Sequence, residues 1–352
     1  MISAIVVNWN GKDHLARSLP ALLAQQPPPD EVLVVDNHSD DGSREFVAER
    51  WPAVRVVDAG DNRGPCRARN LGVVHARHEL CLLVDNDVVL HDGALAAMRA
   101  ALERRPDAAM VQARSLCGDD GARVHYDGAD VHFLGVLVLH NWYRPLAEAP
   151  WPDGPVGAAI ALCLLVRRQR YLDVGGFDEH LFILYEDNQL SYKVRLRGWT
   201  IWLAEGALCT HLAGTRGLSV RSAGDRYGGR RTLLHSRNRW YVLLTCLRWR
   251  TLVLTLPAQL LYGAIYAAFA HAGGNGLWWW RGKAQLVRLL PTALRARRAV
   301  QRGRVARDRD LLVGGRLTLN PGLADRGAKA AVKRWLDGGC DLWWRMVRRL
   351  CG

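Results

Sequence analysis

The feature that most constrains this chain is an alternation in its first hundred residues. Short apolar runs at 2–7, 31–36, 54–58 and 80–85, rich in Val, Ile and Leu, are separated by helical stretches near 12–24, 42–50, 65–77 and 92–104. Such runs suit strands buried on both faces, and strands alternating with helices predict parallel βαβ units. Open sheets of that kind bind ligands at the carboxyl ends of their strands. Polar residues gather at three of those ends: Asn8-Trp9-Asn10, Asp36-Asn37 and Asp85-Asn86-Asp87.

From about 106 to 166 the pattern becomes more β-like, with turn signals at Gly118-Asp119-Asp120-Gly121 and Pro152-Asp153-Gly154. The apolar run 157–166 fits a strand or a buried helix equally well. A helix is expected over 186–197, opening with two acids where the helix dipole favours negative charge. A strand over 200–204 then leads to Cys209-Thr210-His211. The eight cysteines are scattered without a C-x-x-C pair, which speaks against a metal cluster or disulfide framework and fits a reducing compartment. The apolar run at the N-terminus is too short for a secretory signal, so a cytosolic start is expected.

Charge divides the molecule. The whole chain carries +14, but residues 1–210 hold 21 Lys/Arg against 28 Asp/Glu, a net −7, while residues 211–352 hold 27 against 6, a net +21. With 49% hydrophobic residues the chain is neither disordered nor collagen-like. Residues 251–280 contain no Asp, Glu, Lys or Arg. As one helix they would reach about 45 Å, beyond the roughly 30 Å hydrocarbon core. Pro257 and Gly273-Gly274-Asn275-Gly276 are expected to interrupt them. The arginine-rich flanks and Trp278-Trp279-Trp280, Trp335, Trp343 and Trp344 favour a helix lying in the membrane interface, or a re-entrant hairpin, over a single span. The competing expectation is an ordinary buried helical pair.

Two acidic motifs carry chemistry. Asp85 and Asp87, a D-x-D at a strand end, can hold Mg2+ or Mn2+ against a diphosphate, although D-x-D is also common in solvated loops. Glu186-Asp187, after Gly175-Gly176-Phe177-Asp178-Glu179, places carboxylates at a helix start, where one could take a proton from an attacking hydroxyl. The same position suits simple capping. His211 could offer a neutral imidazole to the cation, or be structural.

The ordered motifs IVVNWNGKDHLARSLPALLAQ, DEVLVVDNHSDDGS, DNRGPCRARNLGVVHA, LLVDNDV and GGFDEHLFILYEDNQLSYKVRLRGW, followed by His211, resemble family 2 inverting glycosyltransferases over about residues 1–240. Among these, the bacterial rhamnosyltransferase-like enzymes of surface-polysaccharide synthesis are most similar. The resemblance implies an α/β GT-A fold, a Rossmann-like mixed sheet, with a donor half at about 1–105 and an acceptor half at about 106–240. Residues 241–352 would form a basic, Trp-rich, mostly helical tail that associates with a membrane. It implies that Val7, Asn8 and Trp9 line the nucleotide pocket, that Asp36 contacts the base, and that Asn62, Arg69 and Asn70 border the donor. Asp85 would face the ribose, and Asp87 would bind the divalent cation with His211, with Asp85 beside them. Asp187 would be the catalytic base, supported by Glu186, and Arg237-Asn238 matches a pair often seen before the tail. Relatives often continue the second acidic motif as E-D-x-D-L, whereas Gln189 stands here, and Trp9 replaces a frequent Tyr.

The partners so implied are a UDP-, dTDP- or GDP-linked sugar donor, a glycan or polyprenyl-linked acceptor, and the cytoplasmic face of a bacterial inner membrane, with no nucleic acid. Competing readings are a nucleic-acid binder, motivated by the basic tail, and a non-catalytic scaffold on a GT-A-like fold. A dinucleotide enzyme is disfavoured because no G-x-G-x-x-G follows the first strand.

Overall fold

The first strand shows how the sheet is built. β1 (Ile2–Asn8) is buried along its whole length. Ile2, Ala4 and Val6 pack into one apolar cluster, while Ile5 and Val7 pack into another. Alternate residues of a strand point to opposite faces, so β1 must be covered on both sides. The remaining elements follow as α1 (Lys12–Leu23), β2 (Glu31–Asp36), α2 (Ser43–Arg50), β3 (Arg55–Asp58), α3 (Pro65–His75), β4 (Leu80–Asp85), β5 (Val88–Leu90) and α4 (Ala94–Glu103). After these come β6 (Ala108–Cys117), β7 (Arg123–Tyr126), β8 (Ala129–His132), β9 (Leu137–Leu139), β10 (Cys163–Arg167), α5 (Arg168–Asp173), α6 (Glu186–Leu196) and β11 (Thr200–His211).

The structure, a computed structural model, describes residues 1–117, 121–212, 228–318 and 327–352. Most of the turn expected at 118–121 therefore lies outside the described residues. The chain divides into two compact units: Met1–Ala129 with Leu139–Val194 and Trp199–Ala213, and Asp130–Val138 with Arg195–Gly198 and Gly214–Gly352.

In the first unit one mixed sheet has the order β3-β2-β1-β4-β10-β6-β11-β5, with β7 on β6. β1 pairs in parallel with β2 and β4, as the alternation predicts, and β10 runs antiparallel between β4 and β6. The register fixes the site. Asn8 lies opposite Asp36, Val7 opposite Asp85, and His211 opposite Val88, next to Asp87. The run 157–166 resolves as β10 at its carboxyl end.

The last strand is longer than the expected 200–204. β11 shifts register between Leu203 and Leu208 and then resumes to His211. Gly206, at φ +81°, lies within the irregularity. A bulge of this kind bends a strand without ending it, so the polar Glu205-Gly206 pair looked like a terminus and is not one.

The second unit contains α7 (Gly229–Cys246), α8 (Trp249–Ala272), α9 (Gly276–Arg302), α10 (Asp308–Leu311), β12 (Leu312–Val313) and α11 (Gly327–Val347). β12 completes a small sheet of order β12-β8-β9. Gly273 and Gly274 end α8 as expected, but Pro257 does not interrupt it. Proline removes one backbone donor and crowds the preceding turn. Here the next turn is pinned from outside: Gln259 donates to the Phe133 carbonyl at 2.5 Å and accepts from Arg239 at 2.5 Å. Those buried bonds, with Thr255 Oγ1 donating to the Thr251 carbonyl at 2.8 Å, hold the helix through the proline.

Candidate active site

The ends of β1, β2 and β4 form a closed polar network. Asn8 Nδ2 donates to Asp36 Oδ2 at 2.9 Å and to Ser39 Oγ at 3.2 Å, and Ser39 donates to Asp36 from Oγ at 2.6 Å and from its backbone N–H at 2.8 Å. Asn86 Nδ2 donates to Asn8 Oδ1 at 2.7 Å, and the Asn86 N–H reaches the Val7 carbonyl at 3.2 Å. Asn8 and Asp36 are fully buried, so their side chains shape the loops that follow, while Trp9 stands largely exposed. Gly11 is required by the same packing. A Cβ there would meet Asn86 Nδ2 at 1.9 Å and Asn8 Oδ1 at 2.7 Å.

The stretch at 62–70 is tied to the second acidic motif. Asn62 Oδ1 accepts from the Gly64 N–H at 3.0 Å, at the entry to α3. Asn70 uses its whole amide on α5 and the segment after it: Nδ2 donates to the Phe177 carbonyl at 2.9 Å, and Oδ1 accepts from Tyr171 Oη at 2.6 Å and the Phe177 N–H at 2.9 Å. That explains the Gly-Gly pair. Gly176 sits at φ +53°, and a Cβ there would meet Asn70 Oδ1 at 2.5 Å.

Arg69 is the link between the two acidic motifs. It is buried on α3, with Nη2 2.7 Å from Asp85 Oδ1 and Nη1 4.0 Å from Glu186 Oε1. Among the described residues its Nε and Nη1 have no hydrogen-bond acceptor. Burial works against its charge, but Asp85, then Asp187 and Glu186, more than offset this and hold it protonated.

Glu186 and Asp187 open α6 after Phe182, Leu184 and Tyr185, which all have positive φ between 66° and 74°. Bulky residues pay for that conformation with strain, which gathers at functional sites. Asp187 Oδ1 accepts from the Ala161 N–H at 3.0 Å. Burial raises the pKa of Glu186, and the neighbouring Asp187 raises it further; Arg69 opposes both. Burial likewise raises Asp187, against Arg69 and the Ala161 N–H.

The expected cation donors divide. His211 Nε2 and Asp87 Oδ2 stand 3.0 Å apart, brought together by the β11–β5 register. Asp85 turns instead to Arg69. Among the described residues no three His, Cys, Asp or Glu side chains form a group that could by itself hold a metal ion.

Three features were not visible in the sequence. Ser39 sits inside a quoted motif but has no intrinsic signal. Arg114 and Asp127 form a fully buried pair at 3.0 Å, with Arg114 stacked 3.8 Å from the Trp151 ring centroid. His125 lies beside His211, with ring centroids 5.0 Å apart. Charged residues and lone histidines are surface residues by default, and nothing in their spacing marked these.

The sequence model of Glycosyl transferase family 2 matches residues 3–169. The N-acetylglucosaminyl-diphospho-decaprenol L-rhamnosyltransferase of Mycobacterium tuberculosis is 26% identical over 241 residues, covering 62% of this chain and 78% of that protein. The succinoglycan biosynthesis protein ExoO of Rhizobium meliloti is 32% identical over 199 residues, covering 56% and 52%. Among solved structures, GalNAc-T7 with UDP, GalNAc and Mn2+ superposes with a TM-score of 0.56 at 13% identity, covering 83% of this chain and 57% of that one. The mannosyltransferase PcManGT of Pyrobaculum calidifontis with GDP-Man and Mn2+ gives 0.50 at 18%, covering 85% of each. Residues 3–169 therefore carry a domain of the glycosyl transferase family 2 type, and the fold is that of the GT-A glycosyltransferases.

Proposed function

We propose that the chain transfers a sugar from a nucleoside-diphosphate sugar to a hydroxyl of a lipid-linked glycan, with inversion at the anomeric carbon, during cell-surface polysaccharide synthesis. The observation that carries this reading is Arg69, which joins the strand-end carboxylate Asp85 to the helix-start pair Glu186-Asp187. A donor-side carboxylate and the acidic pair that contains the candidate base thereby lie around one buried guanidinium. The rhamnosyltransferase and succinoglycan relatives support the substrate class.

Asp187 is the base. Its raised pKa brings it towards working pH, where a carboxylate takes a proton more readily than an ordinary Asp does. It removes the acceptor's hydroxyl proton as the new bond forms, and a single displacement inverts the anomeric centre without a covalent intermediate. Glu186 supports the acceptor side, and Asn8, Trp9 and Asp36 shape the nucleotide pocket. Orientation of donor and acceptor supplies much of the acceleration.

Asp87 and His211 fit a divalent cation. The carboxylate oxygen and the imidazole nitrogen stand 3.0 Å apart, so both would reach one cation placed between them. A hard carboxylate with an imidazole suits Mn2+ or Mg2+. A cation held there would neutralise the charge building on the departing nucleoside diphosphate.

The acceptor reading fits the second unit. α8 is long and apolar enough to cross a membrane by length and composition, and it is mostly exposed. We assign it to a membrane surface on the cytoplasmic side. The deciding experiment is Asp187→Asn: transfer should fall by at least about a thousandfold while nucleotide-sugar binding, read by calorimetry, persists. Undiminished turnover would remove Asp187 as the base.

A further inference from the structure

The sheet holds a histidine that the proposed reaction does not use. His125 lies on β7, which pairs with β6 through Ser115–Tyr126 and then Leu116–Val124. Two adjacent residues of β6 thus face a β7 segment with one residue too many, and the extra residue is His125. Bulges of this kind re-aim a side chain and are frequent beside active sites. The re-aimed ring lies 5.0 Å from that of His211, and the two Nδ1 atoms are 3.4 Å apart. Ser115 Oγ, on β6, lies 3.0 Å from the same His125 nitrogen.

His211 has two nitrogens with different neighbours. Nε2 faces Asp87 Oδ2 at 3.0 Å, and Nδ1 faces His125. An imidazole gives its lone pair to a cation from one nitrogen only when its proton sits on the other, and that proton needs an acceptor. If the proton sits on Nε2 it is donated to Asp87, and the lone pair points away from the cation. If it sits on Nδ1, His125 Nδ1 at 3.4 Å is an acceptor among the described residues.

We propose that His125 is a positioning residue for the cation site: its Nδ1 accepts the Nδ1–H of His211 and so turns the His211 Nε2 lone pair towards Asp87 and a divalent cation. Ser115 Oγ, 3.0 Å from the same nitrogen, lies beside the ring and competes for its one lone pair, so that lone pair must face His211 when the cation is bound. The inference rests on the reading of Asp87 and His211 as cation donors. No oxidation state changes: as the cation binds, the Nε2–H bond of His211 breaks and an Nδ1–H bond forms, with solvent water carrying the proton between the two nitrogens.

The test is Mn2+ binding to the full chain, read from the electron paramagnetic resonance of free Mn2+, with Mn2+ alone and with a nucleoside diphosphate. His125→Phe keeps an aromatic ring in the bulge but has no acceptor, and should weaken Mn2+ binding by about 10–100-fold. His125→Gln, whose amide oxygen can accept, should recover much of that loss, and the thermal melt should show both variants folded. The nitrogen coupling of His211 to bound Mn2+ should be present in the wild type, lost in His211→Ala and altered in His125→Phe. Wild-type affinity and coupling in a folded His125→Phe, with binding lost in His211→Ala, would overturn the positioning role and leave the cation reading intact. Mn2+ bound equally well by His211→Ala, or not at all by the wild type, would overturn the cation reading and this inference together.

Discussion

Arg69 is the residue on which the electrostatics of the site turn. It opposes the burial that raises Glu186 and Asp187, and the sign of its removal follows directly. Without the guanidinium both carboxyls would hold their protons to higher pH. A base must be deprotonated to act, so the acid limb of kcat/KM should already lie above the ordinary carboxylate range and move higher still in Arg69→Met. Below that limb the rate should fall about tenfold per pH unit. A pH–rate profile of both proteins checks this, and a limb unmoved by the substitution would show that Arg69 does not set the base. Gly176 offers a stability test at the same scale. Gly176→Ala would place a methyl against the Asn70 amide oxygen at a backbone angle that alanine resists. A loss of about 1–3 kcal/mol is expected in chemical denaturation.

At the scale of elements, the buried pair of Arg114 on β6 and Asp127 just after β7 makes a sharper prediction. Burial lowers the pKa of Arg114 and raises that of Asp127, so each charge is held at a cost that its partner offsets only in part. Arg114→Met would leave the Asp127 carboxylate buried with Asn141 as its remaining side-chain donor at 2.8 Å. Breaking such a pair from one side costs about 3–5 kcal/mol, which urea unfolding would register. What the sequence made legible differs by element for physical reasons. The strands of the βαβ half were readable because burial on both faces leaves short apolar runs, and here these alternate with helical stretches and turn signals. Asp85, Asp87, Glu186 and Asp187 were readable as acids at element ends, where chemistry is placed. Their connections were not. Arg69 reaches both motifs through α3 packing, Asn8 meets Asp36 through register, and His211 meets Asp87 only because β11 continues past its bulge. Pairings between distant residues are properties of the sheet rather than of local spacing. The continuity of α8 through Pro257 was hidden likewise, since Gln259 finds its partners on other segments of its unit.

For the whole molecule, the two charge halves differ in kind as well as in sign. The −7 half holds the carboxylates of the site, while residues 229–302, which make up α7, α8 and α9, contain no Asp or Glu at all. On α8 the exposed Trp249, Val253, Leu256 and Leu260 recur at spacings of four, three and four, which places them on one stripe. A stripe of that kind with arginines at both ends of the helical region suits an anionic lipid surface, where each nearby cation contributes about 1 kcal/mol. The chain should therefore float with vesicles containing phosphatidylglycerol, and binding should fall as salt rises. Vesicles of phosphatidylcholine alone should bind it more weakly. Val253→Glu with Leu260→Glu removes apolar burial worth about 1.5–3 kcal/mol per side chain, so vesicle binding should drop at least about tenfold while the first unit's nucleotide-sugar affinity is unchanged. Retained flotation in that double variant would take the α8 stripe out of the membrane contact. Tight binding to RNA with none to vesicles would return the +21 half to the nucleic-acid reading.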